Sequence, residues 1–167
     1  TLLQMATGLR VSEARTLMWD DIITDAQKRP ACIIRAENAK TGTTRVAALV
    51  EPAVYEHLIR RRDEVGGAYV VGAPLNPDTE WDRYNAQKAL KAFYKDLARD
   101  CEVPLLETYR THVWRTTLNT MYRTDVDALL RARTLGHSLD VNAQAYSDLS
   151  DLTTLYEAAR ARRREEN

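Results

Sequence analysis

His112 and Arg115 stand three residues apart in the stretch TYRTHVWRTT. On a helix that spacing puts an imidazole and a guanidinium on one face, one turn apart. Three other islands carry side chains of related character. TGLRVSEA holds Arg10 just before a helix start, with Glu13 three residues on. Lys40 sits in a polar stretch between two apolar runs, and LGHSLDVNAQAY places His137 directly after a glycine and Tyr146 nine residues later.

These residue types suit attack on a phosphodiester. Such a group develops negative charge on its non-bridging oxygens, and two guanidiniums, Arg10 and Arg115, are able to fork onto them with paired charge-assisted hydrogen bonds. Donors fixed in place before reaction are the usual main source of rate enhancement. His112 and His137 add hydrogen bonds or move protons. Tyr146 offers a hydroxyl nucleophile, and its phenol, with a reference pKa of about 10, needs nearby positive charge or a base to activate it. Lys40 is suited to protonate a departing 5′ oxygen, a poor leaving group as an alkoxide. Glu13 reads as a support that orients the Arg10 region. No carboxylate cluster of Mg²⁺-binding character accompanies these residues, so the expected chemistry uses no metal and no cofactor.

Each island alone has a plainer reading. An isolated His-x-x-Arg is usually a surface or structural pair, and Arg10 alone fits a helix-end charge. Lysine in a turn is most often simply solvated. Gly136 and His137 fit a helix stop followed by a surface histidine. Tyr146 competes with Tyr109, Tyr122 and Tyr156, which read as core or helix-surface residues and lack its position relative to His137. His57 and the arginines 60 to 62 read as a solvated helix end, Trp19 and Trp114 as packing residues.

The elements that must position these groups are mostly helical. Residues 2 to 6 end a helix that Thr7 and Gly8 stop. Ser12 is the expected N-cap of a short helix running to about Trp19. ACIIRA (31 to 36) and TTRVAAL (43 to 49) predict a β-hairpin with Lys40 at or near its tip, and a helix follows Pro52. GGAYVVGAPLNPDTE reads as loop. From Trp81 to Cys101 the residues Trp81, Tyr84, Ala89, Phe93, Leu97 and Cys101 predict an amphipathic helix. Another helix carries His112 and Arg115. Asp125 caps the next, which Gly136 ends, and a last helix starts near Asp151.

Composition bounds the class. At 167 residues and 44% apolar content, the chain is expected to form one domain with a real hydrophobic core. Cys32 and Cys101 are too few for a disulfide scaffold and read as buried reduced thiols of a cytosolic protein. No apolar run approaches a membrane span and no secretory signal is present. Lys plus Arg and Asp plus Glu each number 24. Nucleic-acid binders usually carry a basic surplus, so any phosphate-binding surface must concentrate its arginines locally. The opening TLLQMATGLR is helix-like with no cap or initiator methionine ahead of it, and reads as a domain cut from a longer protein.

Taken in order, the motifs resemble the catalytic domain of the tyrosine recombinases, the phage-type site-specific DNA integrases. That family carries an arginine in a T-G-L-R-x-S-E stretch, a lysine on a β-hairpin, H-x-x-R, L-G-H and a downstream tyrosine. Here those are Arg10, Lys40, His112, Arg115, His137 and Tyr146. The resemblance runs from Thr7 to Tyr146. It departs in the flanks inside H-x-x-R, where Val113 and Trp114 stand, and in lacking the family's N-terminal DNA-gripping domain and about the first helix of the catalytic domain.

The resemblance implies an α+β, mainly α-helical catalytic domain over residues 1 to 167 with a small antiparallel sheet. It implies cleavage and rejoining of double-stranded DNA through a covalent 3′-phosphotyrosine, with Arg10, Lys40, His112, Arg115, His137 and Tyr146 catalytic and Glu13 supporting. The bond energy is kept in the phosphotyrosine link, so ATP is not needed. A homotetramer on DNA, accessory DNA-bending proteins and a cytoplasmic, nucleoid-associated location go with it, and no membrane. The tail, 151 to 167, either folds back on its own domain or docks on a neighbouring protomer. Two other functions use similar residues: strand relaxation of the type IB topoisomerase kind, and DNA binding by a catalytically inactive fragment.

Overall fold

The structure is a computed structural model that describes residues 1–122, 124–136, 156–157 and 159–161. Helix α1, Leu2–Thr7, is stopped by Gly8 in the left-handed conformation at φ 68°. A Cβ at Gly8 would meet Leu135 Cδ2 at 2.5 Å, so glycine is required here by close approach as well as by φ. Helix α2 spans Val11–Thr16 and begins at Arg10 rather than at the expected Ser12. The reason is the side chain of Glu13, whose Oε2 accepts the Arg10 backbone N–H at 2.7 Å and so fixes the first turn two residues earlier. Trp19–Asp21 form a separate 3-10 turn instead of continuing that helix.

Strands β1 (Ile22–Thr24), β2 (Pro30–Ile34) and β3 (Arg45–Ala48) make an antiparallel sheet in that order. The expected hairpin is β2–β3, registered Ile34 to Arg45, and β1 is an additional edge strand. Helices cover both faces, which is why β2 is apolar without alternation. Cys32, Ile34, Ala47 and Leu49 enter one core with Leu3, Leu9, Leu17, Val54 and Leu58. Ala31, Ala48 and Val50 enter a second core with Leu118, Tyr122, Leu135, Tyr156 and Ala159. The described residues of the tail thus pack on the chain's own sheet. Cys32 is buried as expected, whereas Cys101 is exposed.

Helix α3, Pro52–Val65, starts on its proline, and His57 and Arg60 to Arg62 lie on its exposed side. The stretch read as loop contains a short hairpin, β4 (Gly72–Ala73) with β5 (Asn76–Glu80). Helix α4 spans Arg83–Asp100, with the Asp82 side chain capping it through Asn85 N–H at 2.9 Å. Its buried residues are Ala86, Tyr94 and Ala98, with Leu90 and Leu97 partly buried beside them. This stripe lies off the expected one: Tyr84 and Phe93 are 73% and 45% exposed. Tyr94 is preferred inside because its hydroxyl has a partner there, the partly buried Trp114, whose Nε1 donates to it at 2.6 Å.

Helices α5 (Leu105–Tyr109), α6 (His112–Met121) and α7 (Ala128–Leu135) follow. Asp127, not Asp125, caps α7, accepting from the N–H groups of Leu129 and Leu130, and Gly136 ends it at φ 62° as expected. Among the described residues no helix is long and apolar enough to cross a membrane.

Candidate active site

The site is built on the junction of three helix ends: the start of α2, the start of α6 and the C-terminus of α7. Arg10 precedes α2, and Arg115 lies one turn into α6. Both line one open groove of about 750 Å³ together with His112, Arg15, Arg83, Tyr109 and Arg110. A chain with no net charge therefore concentrates five arginines around a single concavity. Arg110 holds the α5–α6 corner at φ 46°, ψ −126°, a conformation L residues rarely adopt. That sharp corner lets Tyr109, Arg110 and His112 all face the groove.

The arginines are held from behind by Glu13, whose side chain is fully buried. Oε1 accepts Arg10 Nη1 at 2.9 Å, and Oε2 accepts Arg45 Nη2 at 2.7 Å. Arg115 Nη1 stands farther off, at 3.9 Å from Oε2. The last carbonyls of α7 take the other donors. Arg45 Nη1 donates to Thr134 O at 2.5 Å, Arg115 Nη2 to Leu135 O, and Arg10 Nη2 to Gly136 O at 2.7 Å. Three consecutive carbonyls at the negative end of a helix are thus each met by a different guanidinium.

Three cations against one buried carboxylate leave an excess of positive charge. Burial and the neighbouring Arg10 and Arg45 push the Arg115 guanidinium down to about 10, with Glu13 opposing. Burial likewise lowers Arg45, again against the pull of Glu13. Glu13 itself would be raised by burial, but Arg45, the Arg10 N–H and the Arg10 side chain together hold it below the usual carboxylate range. Glu13, held low, and Arg115, at about 10, are both charged at neutral pH. Such a site has the chemistry to take an anion with several oxygens.

The residues singled out in the sequence divide into three groups. Arg10, His112 and Arg115 come together at the groove, with Glu13 behind them. Lys40 lies exposed in the β2–β3 turn and is not among the residues lining the groove. His137 and Tyr146 fall outside the described residues. Among the competing tyrosines, Tyr122 and Tyr156 are 6% exposed. Burial pushes the Tyr156 phenol well up, and its hydroxyl donates toward the carbonyls of Pro30 and Leu49. Tyr109, 57% exposed, is the one that faces the groove.

Sequence reasoning missed Arg45, Arg110, Arg15 and Arg83. Arg45 had a signal: an arginine inside the apolar run RVAAL must be paired if that strand is buried. The others are ordinary arginines in sequence and acquire meaning only through the α5–α6 corner and the start of α4.

Residues 1–152 match the profile of the phage integrase family. The chain belongs to that family. The matched region includes all six residues from Arg10 to Tyr146 and everything that lines the groove. No curated protein and no solved structure matches the chain. Within the integrase family, then, this member brings its first arginine and its H-x-x-R together on one positively charged concavity.

Proposed function

We propose that the protein is the catalytic domain of a site-specific DNA recombinase that cuts and rejoins strands through a 3′-phosphotyrosine. The observation that carries this reading is the excess charge of the arginine cluster: Arg10 and Arg115 at an open groove, with Glu13 as their buried counter-charge among the described residues. A phosphodiester passing to a pentacoordinate transition state supplies the missing negative charge.

In this reading the Tyr146 oxygen attacks phosphorus, and the bond from phosphorus to the 5′ oxygen breaks. The phosphate becomes esterified to tyrosine, and the leaving oxygen takes a proton from Lys40. Arg10 and Arg115 hold the non-bridging oxygens, and His112 and His137 donate hydrogen bonds or relay the tyrosine proton. The 5′ hydroxyl of a second strand then attacks the phosphotyrosine, tyrosine leaves, and a new phosphodiester forms. Bond count is conserved at each step, so the link itself stores the energy. Tyr146 and Lys40 are assigned from their place in the family's order of motifs.

The test is a nicked duplex whose short cleaved product diffuses away. The expected result is a protein–DNA band that survives denaturant. Two-site exchange by the same preparation separates recombination from relaxation of a single duplex. DNA binding without any covalent band would return the protein to a binding role.

A further inference from the structure

Among the described residues Glu13 is the carboxylate whose charge acts on Arg115; its Oε2 accepts the Arg10 N–H at 2.7 Å and faces two further cations. Arg45 holds that oxygen at 2.7 Å, and Arg115 waits at 3.9 Å. Arg45 is 5% exposed and lines no part of the groove. It sits at the first residue of β3, and its other Nη donates to Thr134 O at the end of α7. Among the described residues its side-chain hydrogen bonds go to Glu13 and Thr134, behind the groove.

We propose that Arg45 is a positioning residue that saturates Glu13 and thereby keeps the Arg115 guanidinium at the groove, where the Gly8 and Leu135 carbonyls hold it. This rests on the recombinase reading of the groove. Without Arg45, Glu13 keeps Arg10 through Nη1 and the backbone N–H. Its Oε2, however, loses its cation and is drawn toward the next one, since a buried charge short of partners is the costlier state. With Arg45 removed, that cation is Arg115, about one ångström beyond hydrogen-bonding reach. Its approach to Glu13 would draw Nη1 from the Gly8 carbonyl, shift the guanidinium from its place at the groove and offset its charge. The cluster would also lose one positive charge outright.

A double variant separates a positioning role from a merely structural one. Arg45→Met leaves Glu13 seeking Arg115. Adding Glu13→Gln removes the competing charge and restores the original charge excess with no arginine diverted. A merely structural role predicts the opposite, because a second buried substitution adds to the damage of the first. Arg45→Lys keeps a cation for Glu13 but lacks the fork that also reaches Thr134 O, so it restores charge balance without the full geometry.

The experiment measures single-turnover adduct formation on a saturating nicked duplex for the wild type, Arg45→Met, Arg45→Lys and Glu13→Gln/Arg45→Met, each with a thermal melt. We expect Arg45→Met to cleave about 10²-fold more slowly, the scale of losing one preorganised donor. Arg45→Lys and the double variant should both be faster than Arg45→Met. A double variant slower than Arg45→Met overturns the proposal, as does Arg45→Met cleaving at the wild-type rate. A crystal structure of Arg45→Met gives a readout independent of activity: Arg115 within hydrogen-bonding distance of Glu13 supports the proposal, and an unchanged gap overturns it. If Arg45→Met does not fold, the same structural comparison is made on Arg45→Lys, where Glu13 must accept the lysine and Arg115 must keep its distance. A wild-type protein that forms no adduct contradicts the recombinase reading, and the crystallographic arm still decides the role of Arg45.

Discussion

Arg115 donates through Nη1 to the carbonyl of Gly8 at 2.7 Å, tying the H-x-x-R helix to the turn that ends α1. The same glycine leaves room for Leu135, whose Cδ2 would lie 2.5 Å from an added Cβ. The T-G-L-R motif therefore does two things: its arginine faces the groove, and its glycine accepts the second arginine's hydrogen bond. Gly8→Ala should destabilise the fold through left-handed strain and overpacking against Leu135, by about 1–3 kcal/mol, and slow cleavage beyond what the lost stability explains. Urea melts set beside single-turnover rates on the folded protein check this. Unchanged stability would mean that the turn accommodates a side chain by opening toward solvent.

Acid should weaken the site in a defined direction. The carboxyl of Glu13 is held below its ordinary 4.5. Its contribution to stability is therefore fully present above that value and is lost as pH falls through the depressed folded-state pKa. Asp25, lowered through Arg29 despite the opposing effect of burial, acts in the same window. Melting temperature should fall between pH 5 and lower pH, and Glu13→Gln should flatten part of that slope. An equal slope in wild type and Glu13→Gln would show that other carboxylates dominate.

Arg83 and Arg110 line the groove beyond Arg10 and Arg115. If a DNA backbone follows the groove, each neutralises a phosphate, and each alanine variant should reduce the salt dependence of binding by a slope of about 0.9. The effect should be the same for unrelated DNA sequences, since phosphates carry no sequence information. Titrations at several salt concentrations decide it. A slope unchanged in both variants would place the duplex elsewhere.

Much of the scaffold was legible because its signals are local. Gly8 and Gly136 end helices, Pro52 starts one, and the two β-branched runs pair around the turn that carries Lys40. The errors came where two local signals compete. Glu13 caps Arg10 and so outbids Ser12, and Asp127 stands closer to the start of α7 than Asp125. On α4 the choice between Phe93 and Tyr94 was settled by Trp114, a partner twenty residues away. For Arg45 the need for a partner was legible, but not which partner. Its partners Glu13 and Thr134 lie 32 and 89 residues away, and no pattern within β3 announces them.

Lys40 is exposed and outside the groove lining. As the proton donor to the leaving oxygen, its replacement by alanine should slow cleavage on the order of 10²–10⁴-fold. A thiolate leaves without protonation, given a thiol reference pKa of about 8.5. A 5′-bridging sulfur should then restore most of the rate to Lys40→Ala and much less to Arg115→Ala, which still lacks phosphate stabilisation. Equal rescue of both, or none of Lys40→Ala, would make Lys40 a phosphate contact. Chelators should leave the wild-type reaction intact.

The central claim is a covalent link at one tyrosine, and the structure supplies a rival for it, because Tyr109 is exposed in the arginine groove whereas Tyr146 is assigned by its place in sequence. The direct measurement is to trap the adduct on a nicked duplex, digest it and identify the modified residue by mass spectrometry. Tyr146→Phe and Tyr109→Phe are run alongside. The account predicts that the DNA is esterified to Tyr146, that Tyr146→Phe gives no adduct while still binding DNA, and that Tyr109→Phe still forms it. An adduct on Tyr109, or one that persists in Tyr146→Phe, would contradict it.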